Sequence, residues 1–206
     1  MSVGRFITFE GIDGSGKSTQ ARMLHASLQE RGIQSVLTRE PGGSAGAEEI
    51  RRLLVEGDPD RWSPETEILL FTAARRDHLE KTIRPALQDG AIVVSDRFAD
   101  STRVYQGAAR GDLRTLVDRL HSEVIGTEPD LTFVIDMPPE QALERGLARQ
   151  SGEDRFEDMG VEFQEKLRDG FLNLAREYPQ RCQLIDGARD MDAVAADVLA
   201  IVDRQG

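Results

Sequence analysis

Residues Phe9-Glu10-Gly11-Ile12-Asp13-Gly14-Ser15-Gly16-Lys17-Ser18-Thr19 decide the fold. An apolar run, Phe6–Glu10, leads into them, and a stretch with helical periodicity, residues 16–31, leads out. Between the two stands G-x-x-x-x-G-K-[ST], in the strand-before, helix-after setting the motif requires. Its glycines remove side chains, so that backbone N–H groups can surround a phosphate. The helix beginning at Gly16 adds the positive end of its dipole. Lys17 neutralises the β and γ oxygens of a nucleotide, and the Ser18 hydroxyl suits a Mg²⁺ ligand. The loop implies a nucleotide without naming a reaction, because GTPases, motor and transport ATPases and small-molecule kinases share it.

Outward from this segment lie four more apolar runs: Ser35–Arg39, Ala91–Asp96, Leu131–Asp136 and Gln183–Asp186. They are continuous rather than alternating, as strands covered on both faces should be. Helical stretches separate them at 45–56, 64–89, 112–126, 138–149, 159–177 and 190–204. Ser63 suits an N-cap with Pro64 in the first helical position, and residues 64–89 read as one long helix bent near Pro85. Pro138 and Pro139 suit another first turn, while Gly57, Gly90 and Gly126 mark helix ends. Strand–helix alternation predicts an α/β fold, a five-stranded parallel sheet with helices on both faces. Ligands of such sheets bind beyond the carboxyl ends of the strands, which places Glu10, Arg39, Asp96 and Asp136 on one edge.

The chain has 206 residues, read as a single domain over 1–206, and a formal net charge of −11. So large an acidic excess argues against a nucleic-acid or anionic-membrane partner. No apolar run is long enough to span a bilayer. Lysine occurs at positions 17, 81 and 166, and every other basic residue is arginine, the side chain that grips phosphate in a fixed fork. Cys182 is the single cysteine, which excludes an intrachain disulfide and points to a reduced, cytoplasmic setting. It reads as a core residue beside Leu184 and Ile185. His25, His78 and His121 are scattered and suggest no metal site.

An apolar strand ending in Asp96 has the pattern of a Mg²⁺-holding carboxylate, and Asp136 is its rival on the same pattern. The residues after Asp96 separate the two. The run Asp96-Arg97-Phe98-Ala99-Asp100-Ser101-Thr102-Arg103-Val104-Tyr105-Gln106-Gly107 sets an arginine beside the carboxylate, where a second phosphate would be brought to the first. No base-reading NKxD segment of the GTPase kind is present.

Taken together, Phe9–Gln20, Arg39-Glu40-Pro41-Gly42-Gly43, Leu70-Phe71 with Arg75, the Asp96–Gly107 block, Pro129-Asp130-Leu131 and Asp154-Arg155 resemble the bacterial thymidylate kinases. The resemblance implies the three-layer α/β/α P-loop NTPase fold with a short helical lid at about 143–157. It implies a Mg²⁺-dependent, in-line transfer of phosphoryl from ATP to dTMP, and a homodimer. By that likeness Gly11, Ile12, Asp13, Gly14, Ser15, Gly16, Lys17, Ser18, Thr19 and Arg145 hold ATP, and Ser18 and Asp96 hold Mg²⁺. Arg97 and Arg51 grip the dTMP phosphate, with Arg39 in the same pocket. Phe71 stacks on thymine, although Leu69 and Leu70 beside it read as core. Arg75, one helical turn on, donates to a thymine carbonyl. Thr102 and Gln106 match polar base contacts, Tyr105 the sugar-side tyrosine, and Asp13 an acid that reaches the acceptor sugar or Mg²⁺. The phosphate loop carries no basic residue at Gly14 or Ser15, so Arg149 or Arg155 of the lid is the expected transition-state arginine. Ser44 and Phe98 depart from the family's usual residues in minor ways. A different P-loop kinase, or a catalytically dead nucleotide switch, would lack the set Arg51, Arg75 and Arg97 together with the lid arginines.

Overall fold

The computed structural model describes residues 4–56, 61–109, 112–147 and 160–205. Strand β1 (Arg5–Glu10) is buried from Phe6 to Glu10 and lies at the centre of a five-stranded sheet. β2 (Ser35–Arg39), β3 (Ile92–Asp96), β4 (Leu131–Asp136) and β5 (Cys182–Asp186) complete it in the order β2-β3-β1-β4-β5, all parallel. Registers Arg39↔Asp96, Phe9↔Asp96 and Asp136↔Asp186 align the carboxyl ends on one edge, as the sequence predicts.

Two faces of the sheet are covered by different helices, and the strand period of two sorts the side chains between them. Ile7, Phe9 and Val94 pack with Leu24 and Leu28 of α1 (Lys17–Glu30) and Val198 of α9 (Met191–Gln205). Phe6 and Val93 turn to the other face, against Leu79, Ile83 and Phe98. Each fully buried Leu, Ile or Phe of this kind contributes about 1.5–3 kcal/mol.

The edge strands correct one expectation. β2 and β5 are not covered on both faces: Leu37 is 36% and Leu184 52% exposed. A continuous apolar run does not reveal whether a strand is central, because that depends on where its neighbours pair. Cys182 is buried and free as expected, with burial pushing its thiol up to about 12; Ile185 is buried as well, in the cluster on the other face of the sheet.

Helices α2 (Ala45–Val55) and α3 (Pro64–His78) stand over the carboxyl edge of the sheet on the β2 side. α3 starts as predicted, with the Ser63 hydroxyl accepting from the Thr66 N–H at 3.2 Å and Pro64 in its first turn. It continues through a π-helical turn, Leu79–Ile83, into α4 (Arg84–Gln88). The widened turn ends two residues before Pro85, which has no N–H to continue the ladder. α5 (Ala99–Val104) and the π-helical turn Tyr105–Ala109 form a helix that the sequence pattern does not predict. α6 (Arg114–Leu120) runs through a further π-helical turn to Gly126, whose φ of 59° closes it. α7 (Pro139–Leu147) and α8 (Val161–Glu177) complete the set. Gly57, expected at a helix end, lies outside the described residues. Among the described residues no helix is long and apolar enough to cross a membrane.

The buried stripe of α3 is polar, with Glu67, Thr72, Arg75 and His78 facing inward beside Ile68 and Ala74. Leu69 is consequently 56% exposed and Leu70 half-buried, which overturns their reading as core. Helix geometry allows one inward face, and here the site takes it.

Candidate active site

The phosphate loop comes after β1 and hands over to α1 at Lys17. Gly14 shows why its sequence is so restricted: its φ is +81° and an added Cβ would lie 1.9 Å from the Ala142 carbonyl oxygen. The Ser15 hydroxyl is buried with no partner among the described residues, a polar atom that suits a phosphate oxygen. Lys17 folds back over the loop, donating to the Ile12 carbonyl and to Asp13 Oδ1, each at 3.1 Å.

Asp13 joins this loop to the segment after β3. Its carboxylate accepts from Lys17, from Arg97 Nη2 and, at 3.0 Å, from the Tyr105 hydroxyl. Burial opposes ionisation of Asp13, but Arg97 and Lys17 outweigh it and hold the carboxyl well below its usual range. Burial and the nearby Arg97 charge push Lys17 downward. Arg97 is half-buried, and although burial works against its charge, Asp13 and its other acidic neighbours keep it protonated.

Arg97 has a φ of 70°, the one positive value among the described non-glycine residues. Such a conformation is costly and persists where surrounding bonds over-determine it. Its N–H donates to the Phe9 carbonyl at 2.9 Å and its carbonyl accepts from Ser95 Oγ at 2.8 Å. The next N–H, of Phe98, donates to Glu10 Oε1 at 2.8 Å. Ser101 Oγ donates to Glu10 Oε2 at 2.5 Å and accepts from Arg97 Nη1 at 2.8 Å. Glu10 therefore fixes the arginine's backbone and side chain together.

Burial, reinforced by Asp100, raises the Glu10 carboxyl to about 7, although its bond from Ser101 and the charge of Arg97 pull it down. The folded state thus holds this proton more tightly than the unfolded chain does. Stability from Glu10 is complete below its ordinary value of about 4.5 and is lost as pH rises through about 7. The loss is on the order of 3 kcal/mol. Urea denaturation between pH 5 and 8 should show stability falling with pH, with a flatter profile for Glu10→Gln; equal slopes would reject the assignment.

A cavity opens where these groups converge. Asp13, Lys17, Ser18, Arg39, Arg51, Phe71, Arg75, Asp96, Arg97, Thr102, Tyr105 and Gln106, all expected from sequence, line it. Arg51 is buried and donates to the Pro41 carbonyl, so it is no solvated helix base. Arg39 is half-exposed at the rim and pairs with Glu48 at 3.2 Å. Phe71 is half-buried against the cavity rather than in the core. Arg75 is held along one side of its guanidinium: Nε donates to Glu40 at 2.7 Å, Nη2 to Thr102 Oγ1 at 3.0 Å and to the Phe98 carbonyl at 3.2 Å. Glu40 also pairs with His78 Nδ1 at 3.0 Å, and His78 Nε2 meets Thr38 Oγ1 at 2.7 Å. Ser44 keeps a hydroxyl role, donating to Asp77 at 2.6 Å. Phe98 is core, with the Arg75 guanidinium 5.3 Å from its ring centroid.

Asp96 and Asp136 separate clearly. Asp136 is clamped through both oxygens by Arg168, at 2.6 and 2.8 Å. Asp96 lines the cavity, and its Oδ1 is buried with no hydrogen-bond partner among the described residues.

A second cavity touches the loop at Ser15, Gly16 and Thr19 and is lined further by Arg145, Gly187 and Arg189. Arg145 donates to the Gly187 carbonyl at 3.3 Å. Gly187 and Arg189 carry no motif and escape sequence reading, as do Glu10, Glu40 and Ser101 in their supporting roles. Arg149 and Arg155, and most of the expected lid, lie outside the described residues.

A phosphate loop with a cavity on each side, one of them walled by arginines, defines a P-loop kinase whose acceptor is itself anionic. A family model described as thymidylate kinase matches residues 9–198. A thymidylate kinase of Dinoroseobacter shibae is 73% identical over 197 residues, covering 96% of this chain and 95% of that protein. One of Ruegeria pomeroyi is 68% identical over 199 residues, covering 97% and 94%. The crystal structure of thymidylate kinase from Ehrlichia chaffeensis superposes with a TM-score of 0.79 at 38% identity, covering 97% of this chain and 98% of that one. The chain belongs to the thymidylate kinase family, and the reaction it catalyses is phosphorylation of dTMP.

Proposed function

We propose that ATP lies in the second cavity with its phosphates in the loop of residues 11–19, and that dTMP fills the arginine-walled cavity. The observation that carries this reading is Asp13, whose one carboxylate binds both Lys17 and Arg97. The donor-side and acceptor-side cations are thus a single side chain apart. Arg97 and Arg51 hold the acceptor phosphate, and Lys17 with the loop N–H groups holds the donor. A dTMP phosphate oxygen then attacks the γ-phosphorus in line, giving dTDP and ADP. Phe71 stacks on the base, Arg75, Thr102 and Gln106 read its edge, and Tyr105 faces the sugar. Arg145 contacts the nucleoside end of ATP, and Arg149 or Arg155 neutralises charge on the transferring group.

The residues present fit Mg²⁺. The unpartnered Oδ1 of Asp96 and the Ser18 hydroxyl share the first cavity, and Mg²⁺ asks for one or two protein oxygens besides phosphates and water. Bound there, the ion would neutralise phosphate charge.

The same proposal takes the chain as one kinase domain over 1–206 with a lid at about 143–157. It is a homodimer, supported by Leu53 and Leu69, exposed on the adjacent helices α2 and α3. A cytoplasmic location is supported by the free thiol of Cys182.

With Mg·ATP and a panel of nucleoside monophosphates, ADP release should be fastest with dTMP. Preference for another monophosphate would reject the acceptor-site assignment.

A further inference from the structure

The base-facing amide of Gln106 has two ends of opposite hydrogen-bonding sense, an NH₂ that donates and an oxygen that accepts. Which end faces the base decides what the site can read. Behind Gln106 lies Glu67 of α3, with none of its surface exposed. Gln106 Nε2 donates to Glu67 Oε2 at 3.2 Å. A carboxylate accepts and does not donate, so it selects the NH₂ end of the amide for itself. Oε1 is the end left for the cavity that Gln106 lines.

We infer that Glu67 is a specificity-determining positioning residue, which locks the Gln106 amide with its oxygen toward the base so that the site accepts a ring N–H and refuses a bare ring nitrogen. The inference rests on the placement of dTMP in the arginine-walled cavity. Glu67, Phe71 and Arg75 recur every four residues along α3, so one stripe of one helix carries the lock, the stacking ring and the donor. Arg75 is held in turn by buried Glu40. Arg75 and Gln106 thus each have a buried carboxylate behind them. The outcome is a fixed donor beside a fixed acceptor. Thymine offers a carbonyl beside a ring N–H and matches both. Cytosine offers an amino group beside an unprotonated nitrogen and mismatches both. A flipped amide would correct one of those two mismatches, and Glu67 prevents the flip.

Glu67→Gln is nearly isosteric and gives Gln106 a neighbour that can donate or accept, so the amide is free to turn. The expected result is a rise of about tenfold in KM for dTMP with little change in kcat, and a fall of about tenfold or more in the ratio of kcat/KM for dTMP over dCMP. The double variant Glu67→Gln/Gln106→Glu places two oxygens at position 106, so an acceptor faces the base whichever way the group turns. It should recover discrimination, which a general loss of packing could not produce. An unchanged ratio in folded Glu67→Gln, checked by circular dichroism, overturns the inference, as does a lost ratio that the double variant fails to recover. Should Glu67→Gln not fold, a folded double variant whose ratio falls below that of wild type overturns the inference. Gln106→Leu separates the inference from the reading beneath it. If that variant leaves KM for dTMP unchanged, Gln106 does not touch the base and both fall. If it raises KM while Glu67→Gln discriminates normally, the base contact stands and the role of Glu67 falls.

Discussion

Arg97→Ala should lower dTMP turnover by about 10²–10³-fold, roughly 3–4 kcal/mol of transition-state stabilisation, while the protein remains folded. Arg97 is a cation of the first cavity held in place by Asp13, Ser101 and the Tyr105 hydroxyl. Two anionic phosphates cannot approach without charge cancelled between them, and a guanidinium held before substrate arrives needs no reorganisation. Alanine suffers the left-handed backbone conformation at position 97 about as arginine does, and the backbone bonds to Phe9 and Ser95 remain. Loss of activity should therefore come without large loss of stability. Arg97→Lys should recover a part, because a point charge restores attraction but not the two-armed grip on Asp13 and Ser101. Steady-state kinetics beside thermal denaturation would check both claims. Near-normal turnover in Arg97→Ala would remove it from the site.

Asp100→Ala should be the most damaging to stability, at about 3–5 kcal/mol. Asp100 is 1% exposed and anchors α5. It accepts from Arg103 Nη1 at 2.7 Å and from Arg181 Nη1 and Nη2 at 2.6 and 2.9 Å. Truncation leaves two buried guanidiniums facing a void, with Glu128 and Asp118 partnering Arg103 and Thr132 partnering Arg181. A total stability of about 5–15 kcal/mol makes this a large share. Burial opposes the Asp100 charge, but Arg181 and Arg103 hold its carboxyl below the usual range, so the contribution is whole at neutral pH and is lost in acid. Removing Asp100 also removes one cause of the raised Glu10 carboxyl, so the stability profile between pH 5 and 8 should flatten. Urea denaturation at pH 7 measures the main effect; a change below about 1 kcal/mol would mean that the arginines are satisfied elsewhere.

Local features are legible in the sequence. The phosphate loop, the Ser63 cap, the five strands and the Gly126 helix end each depend on neighbours within a few positions. The site's arginines are legible in part: Arg97 succeeds a strand-end carboxylate, whereas Arg51, in the helix after Arg39-Glu40-Pro41-Gly42-Gly43, enters only through the family resemblance. α5 escapes sequence reading because Ala99–Val104 is short and is held by partners distant in sequence, Glu10 on Ser101 and Arg181 on Asp100. Leu69 misleads because α3 turns a polar stripe inward, an inversion of the usual pattern that occurs where a helix walls a cavity.

By itself, the sequence determined a phosphate cradle at a strand end with a cation beside it, since motif spacing along one strand–loop–helix specifies them; the acceptor arginines it offered only through the family resemblance. The tertiary structure supplied the physical reason that Asp96 rather than Asp136 is available: Arg168, 32 residues from Asp136, clamps one, and nothing among the described residues pairs with Asp96 Oδ1. Only it placed buried Glu10, Glu40 and Glu67 behind Arg97, Arg75 and Gln106. Those carboxylates lie 35 or more positions from most of the groups they hold, and pairing across such distances is settled by packing rather than by local pattern.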